Sequence, residues 1–193
     1  MKKALIVTCL LALVSCGSQQ TALENTEQNS ENEVVQKRSK RDNITSPLLA
    51  KGNITKENLQ KLTWYEPSVH GYNPDEAHVK ELAKALKKHN YNIDVYFGTW
   101  CHDSRRVVPK FVNLLEKTGF DFSHVNFVSV NGRKEIPNVS PEIAAQLNVH
   151  RVPTIIFYEN GKETERFVER AKESLVQDII KIASGAEYLD SYE

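Results

Sequence analysis

Much of the chemistry open to this chain rests on one cysteine. Cys101 stands in the run Gly98-Thr99-Trp100-Cys101-His102-Asp103-Ser104-Arg105-Arg106, between a strand-like stretch and a helix-patterned one. At such a junction, unpaired backbone N–H groups and the positive end of a helix dipole favour a thiolate over a thiol. A thiolate attacks disulfides, sulfenic acids and similar electrophilic sulfur and leaves a mixed disulfide. Arg105 and Arg106 favour the charged form, and Asp103 opposes it. Ser104 follows one helical turn after the cysteine. Its hydroxyl can donate a hydrogen bond to the thiolate. It cannot resolve a mixed disulfide, because an alkoxide is too basic a nucleophile and too poor a leaving group.

Plainer roles compete with these. A lone cysteine is usually a buried, inert one. Asp103 can serve only as a favourable charge in the first turn of a helix, and His102 as an exposed modulator. Trp100 and Tyr96 suit packing. Cys101, His102 and His150 lack the ligand spacing of a metal site, so neither a metal nor a cofactor is expected.

The elements that must position Cys101 are readable around it. Tyr91 to Phe97 has the composition of a strand leading into the cysteine. After it, Val108, Phe111, Val112 and Leu115 fall on one helical face in the run from Val107 to Lys117, with Pro109 expected to kink the helix. Val125 to Val130 predicts the next strand, and Ser140-Pro141 starts a short helix through Leu147, a cap followed by proline. Thr154 to Glu159 predicts a further strand. Asn160-Gly161 then turns the chain back into Glu163 to Val168. A last helix is expected from about Ala171 to Ser184, with Val176, Ile179, Ile180 and Ala183 on one face.

Upstream of the cysteine strand, Thr55 can cap a helix over Lys56 to Lys61, and Leu62-Thr63-Trp64-Tyr65 has strand-like composition. Asn73-Pro74-Asp75-Glu76 reads as a helix start, a capping residue followed by proline, for a helix over 74–89. The expected order is β-α-β-α-β-α-β-β-α. Parallel crossovers come first and an antiparallel hairpin closes the sheet, which makes an α/β domain with helices on both faces.

From about residue 60 to 184 the chain resembles the thioredoxin-like family. Trp100-Cys101 at the strand-to-helix junction, Pro109 eight residues on, and Gln146 to Thr154 running through Val152-Pro153 into a strand carry the resemblance. It implies a thioredoxin-like fold, with Cys101 and Ser104 at the catalytic positions of a Cys-x-x-Ser site. It further implies that Pro153 is cis and packs against Cys101, and that Val152 offers its backbone to an extended substrate strand. Trp100, His102, Val152, Pro153 and Thr154 are then the substrate-binding candidates. Two departures stand out: Ser104 replaces the second cysteine of the dithiol members. Six residues before the cysteine, where those members carry a buried aspartate, the chain has Val95. Asp94 is one place off and belongs to the other face of the strand.

The N-terminal sequence concerns location. Met1-Lys2-Lys3 and the apolar run Ala4 to Val14 suit a secretory signal, being too short to span a bilayer. Leu13-Val14-Ser15-Cys16-Gly17 resembles a bacterial lipoprotein signal with Cys16 as the lipidated residue; an ordinary cleavage site nearby or an uncleaved anchor are the alternatives. On this reading residues 1–15 are a signal peptide, 16–46 a polar disordered tether, 47–186 the thioredoxin-like domain and 187–193 a C-terminal tail. The basic cluster Lys37-Arg38-Ser39-Lys40-Arg41 suits a solvated patch on the tether, with weak attraction to anionic lipid as the sharper option. Cys9 leaves with the signal and Cys16 is blocked, so Cys101 is the single free thiol.

The formal charge of the whole chain is zero, and no nucleic-acid partner is expected. Two functions remain: a lipid-anchored monothiol oxidoreductase on the extracytoplasmic side, or a redox-inactive binding or scaffold module of the cell envelope. The expected partners of the first are extracytoplasmic protein thiols or disulfides, an external thiol reductant, and the membrane through the lipid anchor. The anchor faces the periplasm, with the outer membrane favoured where the cell has two.

Overall fold

The computed structural model describes residues 53–192. The expected signal peptide, Cys16 and the tether lie outside the described residues. The sheet has five strands in the order β1-β3-β2-β4-β5, where β1 is Asn53–Ile54, β2 Tyr91–Phe97, β3 Val125–Ser129, β4 Thr154–Glu159 and β5 Lys162–Val168. Six α-helices accompany it: α1 Lys56–Gln60, α2 Tyr65–Val69, α3 Glu76–Leu86, α4 His102–Thr118, α5 Pro141–Leu147 and α6 Leu175–Ser184. This is a thioredoxin-like α/β arrangement.

Strand β2 is the centre. It runs parallel to β3, reached through α4, and antiparallel to β4. Its side chains alternate between the faces. Tyr91, Ile93, Val95 and Phe97 join Ile155 and Phe157 of β4 in the larger core, with residues of α3, α4 and α6. Tyr96 joins Val128, Val130, Val149, Val152 and Ile156 in a smaller cluster on the other face. Helix α5 covers that second face thinly, since none of its residues is fully buried. Helix α4 anchors the site to the larger core. Val108, Phe111, Val112 and Leu115 are wholly buried, and each such side chain contributes roughly 1.5–3 kcal/mol by leaving water.

Four expectations need correction. Leu62 to Tyr65 is not a strand, because the sheet offers it no partner. The Tyr65 N–H instead donates to the Leu62 carbonyl (2.9 Å), and the chain turns into α2. The first strand is Asn53–Ile54, and it pairs with β3 antiparallel, so β2 with β3 is the one parallel pair in the described sheet. Helix α3 starts later than 74, because the Asp75 carboxylate outcompetes Asn73 as its cap. It accepts from the N–H groups of Ala77 (2.8 Å) and His78 (3.2 Å). Helix α6 begins at Leu175 with Ser174 as cap, since the preceding N–H groups of Lys172 and Glu173 bond the buried Asp178 carboxylate. Within 187–193, expected as a C-terminal tail, Tyr188 is buried and its hydroxyl faces Asp178.

The remaining elements lie where the sequence places them. Asn160 and Gly161 both adopt positive φ (52° and 75°), the conformation a two-residue hairpin needs, and they return β4 into β5. Ser140 caps α5 through the Ile143 N–H.

Candidate functional site

The chain leaves β2 at Phe97, turns through Gly98 to Trp100, and becomes helical at His102. Cys101 is the N-cap of α4, in extended conformation (φ −84°, ψ 127°), and its N–H donates back to the Gly98 carbonyl at 3.0 Å. Its side chain does not cap its own helix. Partly exposed, the thiol instead donates across the site to the Val152 carbonyl at 3.2 Å. The Val152–Pro153 bond is cis. Thr154 Oγ1 donates to the Arg151 carbonyl at 2.7 Å and so closes the loop that carries Val152 and Pro153. Cys101 and the Val152–Pro153–Thr154 loop, more than fifty residues apart in sequence, are therefore brought to one place.

Ser104 has a structural bond beside its place at the site. It is wholly buried in the first turn of α4, and its Oγ accepts from the Gly98 N–H at 3.1 Å. The sulfur and the hydroxyl thus have separate partners, Val152 and Gly98. The serine ties the helix start to the end of β2. A buried N–H without an acceptor is costly, so this bond matters for the junction.

Charges around the sulfur partly cancel. Arg106 pairs with Asp103 at 2.9 Å, which answers the carboxylate that would oppose a thiolate. Arg105 Nε donates to the Thr99 carbonyl and braces the loop before the cysteine. His102 is exposed at the helix start, and His150 is exposed at the far loop. Among the described residues no group of three His, Cys, Asp or Glu side chains could hold a metal ion.

Trp100 is half-buried and fixed at both ends. Its indole N–H donates to the Val130 carbonyl at 3.2 Å, and its ring packs with Cys101 against the smaller cluster that contains Val152 and Tyr96. Gly98 makes this possible. A Cβ there would lie 2.6 Å from the Trp100 ring, closer than real contacts allow. Val95 is wholly buried in the larger core, while Asp94 lies on the opposite face, where the Tyr96 hydroxyl donates to Oδ2 at 3.1 Å. Burial pushes the Asp94 carboxyl up, and the bonds from Tyr96 and Asn126 restrain that shift.

One neighbour of the site was not readable in the sequence. The Tyr192 ring lies under the Arg151 guanidinium, 3.7 Å from ring centroid to cation, and its hydroxyl bonds Arg170 (3.0 Å) and Glu169. Ser191 adds a bond from Oγ to the Arg170 carbonyl at 2.7 Å. Arg151 adjoins Val152 in the chain, so the described C-terminal end sits beside the loop that faces Cys101. The contact joins residues more than twenty positions apart, and no local pattern announces it.

Comparison with known proteins identifies the family. The family model described as Thioredoxin matches residues 74–181. The thioredoxin Asp f 28 of Aspergillus fumigatus is 30% identical over 103 residues, which cover 53% of this chain and 87% of that protein. Thioredoxin-2 of Pyricularia oryzae is 26% identical over 89 residues, 46% of this chain; the match spans about half of that relative, 47% of its length. Among solved structures, Fasciola hepatica thioredoxin aligns with a TM-score of 0.34 and 25% identity, covering 52% of this chain and 89% of that one.

Proposed function

The chain belongs to the thioredoxin family, and from that premise we propose that it is a monothiol thiol–disulfide oxidoreductase acting through Cys101. The observation that carries the reading is the placement of Cys101: at the N-cap of α4, partly exposed, 3.2 Å from the Val152 carbonyl, with a buried serine one turn further on.

The chemistry follows from those two residues. The Cys101 thiolate attacks one sulfur of a substrate disulfide; a new S–S bond forms to Cys101, the old one breaks, and the partner sulfur leaves as a thiolate that takes up a proton. A second cysteine at 104 would then displace the substrate. Ser104 cannot, so the mixed disulfide persists until an external thiol attacks the substrate sulfur and frees Cys101. Val95 fits this account, because a site without a second thiol needs no carboxylate to accept its proton. Trp100, His102 and the Val152–Pro153–Thr154 loop form the surface on which a substrate segment would lie.

We further propose that the protein works outside the cytoplasm, tethered by lipid on Cys16, where disulfides form and persist. The support is the sequence Leu13-Val14-Ser15-Cys16 after a short apolar run.

The test is a disulfide-reduction assay at fixed chemical reductant with the wild type, Ser104→Cys, and Cys101→Ser as blank. The wild type should accumulate a mixed disulfide at Cys101 and reduce protein disulfides slowly; Ser104→Cys should form an internal disulfide and turn over faster. Wild type matching Ser104→Cys would remove Ser104 as the limiting residue. No covalent adduct on Cys101 in either would favour the binding-module reading instead.

A further inference from the structure

The loop that faces Cys101 is held by the segment from Tyr188 to Tyr192, which is anchored at both ends. Tyr188 is buried in the larger core, and its hydroxyl lies 3.5 Å from Asp178 Oδ2. At the other end the Tyr192 ring stacks on the Arg151 guanidinium, 3.7 Å from centroid to cation, with the Arg170 guanidinium 5.8 Å from the same centroid. Between them, the Ser191 hydroxyl donates to the Arg170 carbonyl at 2.7 Å, and the Tyr192 N–H donates to the Asp190 carboxylate at 2.6 Å.

These contacts converge on the residues that flank Val152. Arg151, before it, pairs with the Glu169 carboxylate at 3.2 Å. Pro153, after it, accepts from the Glu169 N–H through its carbonyl at 2.7 Å. The Tyr192 hydroxyl bonds that same Glu169 carboxylate, so both flanks of Val152 lead to Tyr192. Glu169 stands at φ 57°, in the left-handed region that a residue with a Cβ seldom adopts, and its bonds to Pro153, Arg151 and Tyr192 hold it there. The consequence differs between substrates. A small disulfide needs only the Cys101 sulfur, whereas a peptide segment also needs the Val152 edge in place to pair with. A loop that shifts by a fraction of an ångström penalises the second reaction and spares the first.

We propose that Tyr192 is a positioning residue for peptide substrates: by stacking on Arg151 it fixes the Val152–Pro153 edge on which a substrate segment lies while its disulfide is attacked. The inference rests on the monothiol reading above and adds the substrate class, extended peptide segments rather than small disulfides. Tyr192 touches no reacting atom. It acts through Arg151, whose neighbour Val152 offers the carbonyl that takes the Cys101 hydrogen. The ring suits this work because a planar guanidinium stacks on an aromatic face and is held in one orientation there.

The test uses the full chain and two reagents: 2-hydroxyethyl disulfide, and an uncharged alanine-rich peptide whose central cysteine is disulfide-linked to 2-mercaptoethanol. Attack on the peptide sulfur forms the Cys101–peptide bond, breaks the old S–S bond and releases 2-mercaptoethanol as a thiolate that takes up a proton. Each adduct is followed by mass and assigned to Cys101 by peptide mapping. Tyr192→Leu should lower the peptide-to-small rate ratio by a factor of about 10. Tyr192→Phe keeps the stack and loses only the hydroxyl bonds, so its ratio should fall by no more than about 3-fold. Arg151→Lys keeps the charge toward Glu169 but loses the planar stack, and should reproduce Tyr192→Leu. The double variant should fall no lower than either single one, because both remove the same contact. Where Tyr192→Leu does not fold, Arg151→Lys reads the same ratio. A ratio unchanged by both substitutions, whether neither reaction slows or both slow equally, overturns the proposal and leaves the monothiol reading intact. A Tyr192→Phe ratio as low as that of Tyr192→Leu overturns the stack in the same way. No adduct on Cys101 from either reagent in the wild type overturns both readings.

Discussion

At the scale of single residues, Ser104 joins structure to chemistry. Its hydroxyl is the acceptor for the Gly98 N–H in a place with no access to water. Ser104→Ala leaves that N–H unanswered, and we expect a loss of about 1–3 kcal/mol in denaturant unfolding. The reaction of Cys101 with a small disulfide should persist in the same variant, since the sulfur bonds Val152 rather than Ser104. Loss of folding stability without loss of thiol reaction separates the two roles. Asp94 makes a second residue-scale prediction, this time in pH. Its carboxyl is pushed up by burial, so the folded state favours the protonated form. Its contribution to stability is full below the ordinary aspartate range and is lost as pH rises through the raised folded value. Asp94→Asn keeps an acceptor for the Tyr96 hydroxyl and removes the titration. The variant should gain on the wild type as pH rises from about 4 toward 7, and a difference flat across that span would contradict the assignment. Cys101, Pro153 and the absence of a second thiol were legible in the sequence because each is a residue type at a fixed spacing. The Ser104–Gly98 bond and the Tyr192 contacts were not, because they depend on where separate parts of the chain meet.

At the scale of elements, the junction between β2 and α4 is set by how close two pieces of chain can come. The Trp100 ring lies over Gly98 with no room for a methyl group. Gly98→Ala should displace the indole, break its bond to the Val130 carbonyl and cost about 1–3 kcal/mol, the usual range for overpacking. Tryptophan emission in a Trp64→Phe background reports the displacement, and the Cys101 reaction should slow with it. An unchanged spectrum would show that the loop absorbs the methyl group. The elements whose patterns are local were legible: β2 and β4 by their composition, α5 by its Ser-Pro start, the hairpin by Asn160-Gly161. Leu62 to Tyr65 misleads for a physical reason. Aromatic and β-branched residues fit either a strand or any half-buried surface, and only the presence of a neighbouring strand decides. Here Asn53–Ile54 takes the place beside β3.

At the scale of the whole molecule, the question is where the domain is held and how many thiols it presents. If Cys16 carries lipid, Cys16→Ala should release the protein from the membrane fraction or block its processing, and the intact mass of the mature wild type should begin at a modified Cys16. Thiol titration of mature protein should give a single group, Cys101, and oxidation should yield intermolecular products only. Two titratable thiols would refute the processing assignment. The Tyr192 contacts have a practical corollary of another kind. The ring is held by Arg151, one residue from the carbonyl that takes the Cys101 hydrogen, and by Arg170 on the opposite strand connection. A fusion partner or affinity tag attached after Tyr192 therefore starts beside Arg151, the neighbour of Val152, and we expect it to slow the reaction of Cys101. A small fluorophore attached there becomes a distance gauge instead: its emission should change when a partner is captured on Cys101, giving a direct optical readout of trapping without altering any residue of the site.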